Sequence, residues 1–191
     1  MGKEASIQPP QQFDTRGFRN ALGRFASGVT VVTACYKGQT HGMTANAFVS
    51  VSLVPPLVLV SLDNRSNMHR ILPETGQYGI SVLAEDQEVL SNHFAGRTVE
   101  GLHLRFIERL GLPLLEGAVA YFVVRVVDAH LAGDHTLYIG EVLHFESRDE
   151  RPLLFHSGKY QQVRTDRAKP TPWPQDEFSL FSIGNIDPPI T

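Results

Sequence analysis

Four short stretches of this chain combine residue types that can contact a polar ligand. Small polar residues in a strand leave backbone and hydroxyl groups free for a planar ligand, and short polar turns can hold a nucleotide. Each stretch also has an ordinary structural explanation, such as an edge strand or a solvated turn. Taken together, their order and spacing are more specific than any one of them. The stretches are Gly42–Asn46 (GMTAN) leading into Ala47–Ser52 (AFVSVS), Ser61–Asn67 (SLDNRSN), Asn92–Arg97 (NHFAGR) and Gly133–His135 (GDH).

The stretch Ser61–Asn67 has the composition of a phosphate site at the start of a helix. A helix N-terminus presents unpaired backbone N–H groups and a partial positive charge. The Ser66 hydroxyl, the Asn67 amide and the Arg65 guanidinium can complete such a site. The competing explanation is that Asn64 or Ser66 only caps the helix.

Several catalytic motifs are absent from the sequence. None of the sixteen glycines has another two positions away, which excludes the G-x-G-x-x-G dinucleotide fingerprint. There is no P-loop, no G-x-S-x-G and no H-E-x-x-H, and the eight histidines are scattered. A metal site built from distant side chains stays open but is disfavoured. The single cysteine, Cys35, excludes a disulfide framework, and its strand pattern predicts a small buried hydrophobe.

Composition favours one globular domain in the cytoplasm. The chain has 191 residues, of which 42% are hydrophobic, and a net charge of −3, which argues against a basic nucleic-acid binder. The longest apolar runs, such as Val54–Leu62, are far shorter than the ~20 residues that cross a bilayer. Residues Met1–Pro10 lack the apolar segment of a signal peptide.

Hydrophobic periodicity predicts three short helices and six or seven strands. The first helix, Arg16–Ala26, has a stripe of Phe18, Leu22 and Phe25, a cap at Asp14 or Thr15, and a stop at Gly28. The second helix, Ser66–Leu72, is expected to end at Pro73, and the third, Glu85–Phe94, has Gly96 as its C-cap. The predicted strands are Val29–Tyr36, a half-buried Ala47–Leu53, Leu57–Leu62, Tyr78–Leu83, Ala120–Leu131, His135–Phe145 and a last one through Tyr160.

The order of these elements predicts a mainly β fold with a few helices. Hairpin connections, in place of strand–helix alternation, favour an antiparallel barrel over a doubly wound sheet. The predicted organisation is a flexible arm over residues 1–13, one domain over 14–164, and a tail over 165–191. The tail is rich in proline and contains Trp173, Phe178 and Phe181, so we expect it to dock on the barrel or on a partner subunit.

The chain resembles the flavin reductase family, the short-chain NAD(P)H:flavin oxidoreductases that supply two-component monooxygenases. The resemblance covers about residues 18–160 in collinear order. It is carried by Leu22–Thr33 (LGRFASGVTVVT), Gly42–Val60 (GMTANAFVSVSLVPPLVLV), Tyr78–Leu83 (YGISVL), Phe94–Gly96 (FAG), Gly111–Leu115 (GLPLL), Gly133–Val142 (GDHTLYIGEV) and Pro152–Tyr160 (PLLFHSGKY).

The resemblance implies a split β-barrel of the antiparallel Greek-key, FMN-binding type, working as a homodimer in the cytoplasm. It also implies FMN or FAD as the flavin and NADH or NADPH as co-substrate. His135 would be the catalytic residue, positioning the nicotinamide nucleotide together with Asp134 and Tyr160 and donating no proton. At Ser61 many relatives have cysteine. The implied flavin-binding residues are Met43, Thr44, Ala45, Asn46, Ser50, Val51, Ser52, Ser61, Leu62, Asp63, Ser66, Asn67, Phe94, Gly96 and Arg97.

The implied reaction is hydride transfer from nicotinamide C4 to flavin N5, at roughly 3–3.5 Å. Backbone N–H groups near Thr44–Asn46 or Ser50–Ser52 would stabilise the negative charge of the reduced flavin. The reduced flavin would diffuse to a partner monooxygenase. Two other functions stay open: a flavin carrier without turnover, and an enzyme that holds its flavin tightly and reduces another substrate.

Overall fold

The protein folds as an antiparallel β structure with three helices, according to a computed structural model that describes residues 13–164. The predicted tail and nearly all of the predicted arm lie outside the described residues. The helices are α1 (Thr15–Leu22), α2 (Asn67–Thr75) and α3 (Glu88–Phe94). In the described part of the chain the strands are β1 (Ser27–Gly28), β2 (Thr30–Tyr36), β3 (Gln39–Ala45), β4 (Phe48–Leu53), β5 (Pro56–Asp63), β6 (Gln77–Val82), β7 (Phe106–Arg109), β8 (Leu112–Leu115), β9 (Ala120–Ala132), β10 (His135–Ser147), β11 (Leu154–His156) and β12 (Lys159–Gln161).

Seven strands form the main sheet in the order β3-β2-β6-β9-β10-β5-β4, with every pair antiparallel. Its longest members, β9 and β10, are joined by the two-residue turn Gly133–Asp134, as the sequence predicts. At the other end of the sheet order, the amide of Ser61 in β5 donates to the carbonyl of Ala47, between β3 and β4 (3.1 Å). This bond extends the pairing of β4 with β5, and β3 also lies close to β5, so the sheet curls. The predicted mainly β architecture is confirmed.

The interior of the curled sheet is filled by β-branched and aromatic side chains. Val32, Val60, Leu62 and Ile80 have no exposed surface there, and α2 adds Leu72. Each such side chain contributes roughly 1.5–3 kcal/mol on burial. This packing holds β3, β5 and β10, the strands next to the stretches that are predicted to contact a ligand.

Tyr78 occupies the centre of this core because Gly140 leaves room for it. A Cβ on Gly140 would lie 2.2 Å from Val124 Cγ1 and 2.8 Å from the Tyr78 hydroxyl oxygen. Within the described residues that hydroxyl has no hydrogen-bond partner, and burial raises its pKa above the ordinary value. The register of β9 and β10 also shifts at Gly140, where a bulge bends the ladder.

Helix α2 continues through Pro73 to Thr75, so the predicted end at Pro73 is wrong. Proline has no N–H to donate to the carbonyl four residues earlier, which belongs to His69. The Tyr138 hydroxyl lies 3.2 Å from that carbonyl oxygen and replaces the missing donor. The helix ends instead at Gly76, which adopts the left-handed conformation (φ 64°).

Helix α1 is shorter than predicted and buries none of its residues. Asp14 caps it by accepting from the Gly17 amide (2.8 Å), as predicted, but the helix ends at Leu22 and not near Gly28. The carbonyl of Gly23 accepts from the Ser157 amide (2.7 Å), which ties the chain to the β11–β12 hairpin and turns it out of the helix. Of the predicted apolar stripe only Phe18 and Leu22 lie on the helix, where both are exposed, and Phe25 lies beyond its end and is 82% accessible.

Two further expectations, at α3 and at Cys35, are corrected by the structure. Helix α3 begins at Glu88 and not at Glu85, because the Gln87 side chain bridges the Ala84 amide and the Glu116 carbonyl and holds a turn there. Cys35 is exposed and not buried, since it lies at the end of β2 beyond the last buried residue, Ala34.

Strand β4, predicted to be half-buried, is an edge strand with Val49, Val51 and Leu53 all exposed. The pattern also missed β3 and the β7–β8 hairpin. Strand β3 reads QTHGMTA, which is poor in strand-forming residues, and it is held by its ladder with β2.

Candidate functional site

A cleft of about 670 Å³ opens between strand β3 and the end of helix α3. It brings together residues from three of the four stretches that the sequence singles out. Of the predicted flavin-contacting residues it contains Met43, Thr44, Asn67, Phe94 and Gly96. The remaining residues of its lining are Thr40, His41, Gly42, Met68, His93 and Ala95.

The Phe94 ring lies directly on the backbone of β3. A Cβ on Gly42 would come within 2.5 and 2.7 Å of two Phe94 ring carbons, so only glycine permits this approach. Phe94 also packs edge-on against His93, with ring centroids 5.1 Å apart. The glycine and the aromatic residue of two distant stretches thus form one wall of the cleft.

The start of α2 forms the opposite side of this cleft. The Ser66 side chain accepts from the His69 amide (3.1 Å) and caps the helix. Within the described residues, the backbone N–H groups of Asn67 and Met68 have no hydrogen-bond partner, and both residues line the cleft. Arg70 bonds the side-chain oxygen of Asn67 and adds a cation one turn further along. Unpaired N–H groups, a helix dipole and a cation together suit a phosphate.

The loop before α2 is joined to the predicted nicotinamide-contacting turn. The Asn64 amide donates to the Asp134 carbonyl (3.0 Å), and the Thr136 hydroxyl donates to the Asn64 side-chain oxygen (2.7 Å). In the β5–β10 ladder His135 is paired with Asp63. The stretches Ser61–Asn67 and Gly133–His135 are therefore one structural unit, although about 70 residues separate them.

Charged groups in this unit are paired and ionised. Hydrogen bonds from Arg65 hold the pKa of the Asp63 carboxyl well below its usual range. The hydrogen bond to His135 lowers the pKa of Asp134 in the same way. Asp134 Oδ1 lies 2.7 Å from His135 Nδ1, which leaves Nε2 of this part-exposed ring free to face a ligand. The arrangement can orient a ligand group and does not require the imidazole to transfer a proton.

A second cleft, of about 590 Å³, adjoins the first through Thr44 and Ala95. The Thr44 hydroxyl donates to the carbonyl of Ser91 (2.7 Å), and the Ser91 hydroxyl lies 2.9 Å from the Tyr160 hydroxyl. Arg97 donates to the Asn92 side-chain oxygen (3.1 Å). Asn46, Arg97 and Tyr160, all predicted site residues, line this second cleft and not the first.

The structure does not bring every predicted residue to these clefts. Ser50, Val51 and Ser52 lie on the edge strand β4, where the register shifts between Ser50 and Ser52. Tyr160 lines the second cleft, on the other side of Thr44 from Asn67. His135 instead follows the Gly133–Asp134 turn, which is hydrogen-bonded to Asn64. Ala45, Ser61 and Leu62 are strand residues, of which Ala45 and Leu62 are buried.

Sequence reasoning missed four residues that the structure places in or beside the clefts. Ser91 gave no motif because its partners, Thr44 and Tyr160, come from other elements. Arg70 follows Asn67 by three positions on α2, and that helical spacing could have identified it. Thr40 and His41 were overlooked because β3 was not recognised as a strand.

Residues 13–164 show neither a membrane-spanning helix nor a cluster of metal ligands. No helix there is long and apolar enough to cross a membrane. The same part of the chain contains no group of three or more His, Cys, Asp or Glu side chains placed to hold a metal ion.

Comparison with known proteins relates residues 22–164 to the family model described as "Flavin reductase like domain". The chain is 51% identical over 158 residues to an NADH-dependent flavin reductase from Rhodococcus sp, covering 81% of this chain and 89% of the relative. It is 34% identical over 180 residues to the reductase subunit HsaB of a flavin-dependent monooxygenase from Rhodococcus jostii, covering 93% and 92%. The solved structure of flavin reductase PheA2 superposes with a TM-score of 0.78 at 47% identity, covering 80% and 99% of the two chains. The split-barrel fold that the resemblance implied is shared with such neighbours.

Proposed function

The chain belongs to the flavin reductase-like family, and from that premise we propose that it catalyses the NADH-dependent reduction of FMN or FAD. One observation carries the proposal: unpaired N–H groups at the start of α2 open into the cleft that also contains Met43, Thr44 and Phe94. A phosphate at Asn67 would leave the ring system of a flavin against β3 and Phe94. The bound flavin supplies a hydride acceptor at N5 for nicotinamide C4.

The residues of this chain bind and orient the two nucleotides. Ser66, Asn67 and Met68 hold the flavin phosphate, while Phe94 and Gly96 close the cleft over β3. Backbone N–H groups of the Thr44–Asn46 segment stabilise negative charge that develops on the flavin ring. No side chain has to move a proton in this scheme.

A charge placed at the cap of α2 tests the phosphate site. Ser66→Asp introduces a carboxylate that still caps the helix well, so the fold is retained. We expect flavin affinity to fall at least tenfold by charge repulsion, measured by quenching of flavin fluorescence. Ser66→Thr keeps a neutral cap and serves as the matched control. Equal flavin affinity in both variants would contradict this role of the helix start.

His135 is proposed to position NADH, with Asp134 fixing its ring through the 2.7 Å hydrogen bond. His135→Ala should raise the KM for NADH while flavin affinity stays nearly constant. Asp134→Asn, which keeps a hydrogen-bonding group beside the ring, should have a smaller effect of the same kind. Equal losses of NADH and flavin binding in His135→Ala would refute the assignment.

The decisive assay is NADH or NADPH oxidation, followed by loss of its absorbance, with added FMN or FAD in the four combinations. Turnover that depends on added flavin supports the proposal. A protein that retains its flavin through dialysis and gains nothing from added flavin would instead be a flavin carrier or a reductase of another substrate.

We also propose that the protein is a homodimer whose interface includes β4. Val49, Leu53 and the adjacent Val54 expose 54%, 62% and 92% of their surface on this edge strand. Such a row of apolar residues beside unpaired backbone groups favours pairing with another chain. A partner subunit at β4 would also cover Ser50, Val51 and Ser52, which one chain leaves apart from the clefts.

Sedimentation velocity tests this interface with a matched pair of valines. Val49→Glu should produce monomers at micromolar concentration. Val89→Glu changes a valine of similar exposure (48%) on α3 and should leave the dimer intact. A monomeric wild-type protein, or a Val49→Glu variant that stays dimeric, would refute the proposal.

Relatives such as HsaB are reductase subunits of flavin-dependent monooxygenases. We propose that this chain likewise supplies reduced flavin by diffusion to a partner monooxygenase in the cytoplasm, where NADH is available. Its clefts are open to solvent, which suits release of a reduced flavin after each turnover.

A further inference from the structure

Four large apolar side chains on and beside helix α1 are exposed to solvent. Phe18 and Leu22 lie on the helix, Phe13 precedes it and Phe25 follows it, and between 51% and 82% of each side chain's residue surface is accessible. The Phe13 and Phe18 rings pack edge-on, with centroids 5.3 Å apart. We call these four residues the α1 stripe. Because helices shorter than about 12–15 residues are marginal in water, the eight residues of α1 need a further surface to pack against.

The α1 stripe is bordered by positive charge. Arg16, Arg19 and Arg24 are exposed, and none of them forms an ion pair with a carboxylate of residues 13–164. Asp14 is the one acidic residue in the segment 13–25, and it accepts from the Gly17 amide as the helix cap. An apolar surface with such cations at its rim suits a segment that is both aromatic and acidic.

The tail, residues 165–191, lies outside the described residues and has the complementary composition. From residue 171 onward it contains no Lys or Arg. Residues 1–12, by contrast, have only Met1 and Ile7 as large apolar residues, so the arm is a poorer match. The large apolar residues of the tail are Trp173, Phe178, Leu180, Phe181, Ile183, Ile186 and Ile190, and its acidic residues from 171 onward are Asp176, Glu177 and Asp187.

The tail starts within reach of α1. The Ser157 amide, in the β11–β12 hairpin that precedes the tail, donates to the Gly23 carbonyl at the end of α1 (2.7 Å). Residue 164 is seven positions beyond Ser157, and Trp173 is nine positions further on. At up to ~3.3 Å per residue these two spans cover at most about 23 Å and about 30 Å. The second span is long enough to return the chain from residue 164 to α1.

Two other exposed apolar surfaces lack the matching charge. Strand β4 contains no charged residue, so it offers no attraction to an acidic segment. Leu131 and Phe145 are exposed on β9 and β10. The one arginine of these two strands, Arg125, is already paired with Glu141. Among these surfaces only the α1 stripe combines exposed aromatic rings with arginines that lack an ion pair within residues 13–164.

We infer that the tail docks on the α1 stripe of its own chain. Trp173, Phe178 and Phe181 supply the apolar contacts, and the acidic residues between them face the arginines beside the stripe. This docking goes beyond the proposed function and does not depend on it. The tail also lies beyond residues 22–164, which the family model matches, so the docking is a property of this chain and not of the family.

Trp173 is the single tryptophan of the chain, so its fluorescence reports directly on the tail. In the full-length protein without added flavin, the emission should lie at shorter wavelength than in urea, and acrylamide should quench it less. Leu22→Asp removes one apolar contact and adds a charge of the same sign as the tail. It should shift the docking equilibrium about tenfold towards the undocked state. The fold is retained because α1 buries none of its residues.

Leu110→Asp is the matched control, since it changes a leucine of similar exposure in the β7–β8 turn and should leave Trp173 protected. The charge contribution is tested by Arg19→Glu, which should weaken docking about threefold at low salt and less at high salt. Lys37→Glu reverses an exposed cation in the β2–β3 turn and should have no such effect.

A disulfide cross-link tests whether the tail docks on its own chain. Ala21→Cys and Ser179→Cys, in a Cys35→Ser background, place one thiol beside the stripe and one in the tail. After mild oxidation, non-reducing electrophoresis should show the link within single chains. A link between two chains would assign the tail to the second copy and overturn the inference, as would the absence of any link.

The fluorescence data give an independent way to overturn the inference. It is wrong if Trp173 is as accessible to acrylamide in the native protein as in urea. It is also wrong if Leu22→Asp exposes Trp173 no more than Leu110→Asp does. Neither result bears on the proposed function, because flavin-dependent oxidation of NADH is measured separately.

Discussion

Replacing Tyr138 by phenylalanine tests how helix α2, where the proposed phosphate site begins, tolerates its internal proline. The buried Tyr138 hydroxyl lies 3.2 Å from the His69 carbonyl oxygen and 2.8 Å from His69 Nδ1. It has one proton, so donating to the carbonyl requires that it accept from Nδ1–H. Burial raises the pKa of this hydroxyl, so it stays protonated at neutral pH.

The expected cost follows from the groups left unpaired. Tyr138→Phe removes the hydrogen-bond partner of both the carbonyl and the ring nitrogen of His69, which is part-buried. This loss should lower the free energy of unfolding by about 1–2 kcal/mol. For a chain of this length the melting temperature should fall by about 2–8 °C. Tyr78→Phe is the control, because the buried Tyr78 hydroxyl has no partner among the described residues and its loss should be neutral or stabilising.

A double-mutant cycle with Pro73→Ala isolates the physical cause. The substituted alanine would supply the backbone N–H that Pro73 lacks, and an α-helix directs it at the same His69 carbonyl. Pro73 is exposed, so the change leaves the core intact. In the Pro73→Ala background the Tyr138→Phe cost should fall by about 1 kcal/mol, measured by urea denaturation. Strict additivity of the two changes would refute the claim that the hydroxyl replaces the missing amide.

Three other predictions concern close packing and charge. Gly42→Ala should displace the Phe94 ring, cost about 1–3 kcal/mol and weaken flavin binding, checked by fluorescence titration; unchanged affinity would show that Phe94 does not shape the cleft. Gly140→Ala should destabilise more than Gly42→Ala in chemical denaturation, because its Cβ meets a branched core side chain, Val124. Hydrogen bonds from Arg109 and His144 lower the pKa of Glu146 from 4.5 to about 2, so the stability it adds is present above pH 4.5 and lost as the pH falls towards 2. The stability difference between wild type and Glu146→Gln should shrink over that interval in acid denaturation, and a constant difference would contradict the pairing.

Local patterns in the sequence predicted the elements whose stability is local. Alternating and β-branched residues identified β2, β5, β6, β9 and β10, and the Gly133–Asp134 turn identified their longest hairpin. Ser66 was one of two candidate helix caps, with Asn64, because an N-cap needs only a side-chain oxygen within three residues of the amide it accepts from. The order of these motifs along the chain was enough to indicate the family and hence the fold.

Element ends and burial were harder to predict, because distant residues decide them. Helix α1 stops where the Ser157 amide bonds Gly23, and α2 passes Pro73 because Tyr138 comes from a strand 65 positions further on. The β-branched residues that precede Cys35 in the sequence predict that it is buried, yet the last buried residue of β2 is Ala34. No local periodicity contains this information.

The sequence by itself determined which residue types the site contains: a capped helix start, a glycine, a phenylalanine and a Gly-Asp-His turn. Only the tertiary structure decided which of them meet. The β5–β10 ladder brings Asp63 to His135, and the packing of α3 on β3 brings Phe94 to Gly42. It also separates Tyr160 from His135 within one chain and leaves the apolar side chains of α1 exposed. The physical reason is that ladder register and close packing depend on pairs of residues far apart in the chain, whereas propensity and capping depend on neighbours.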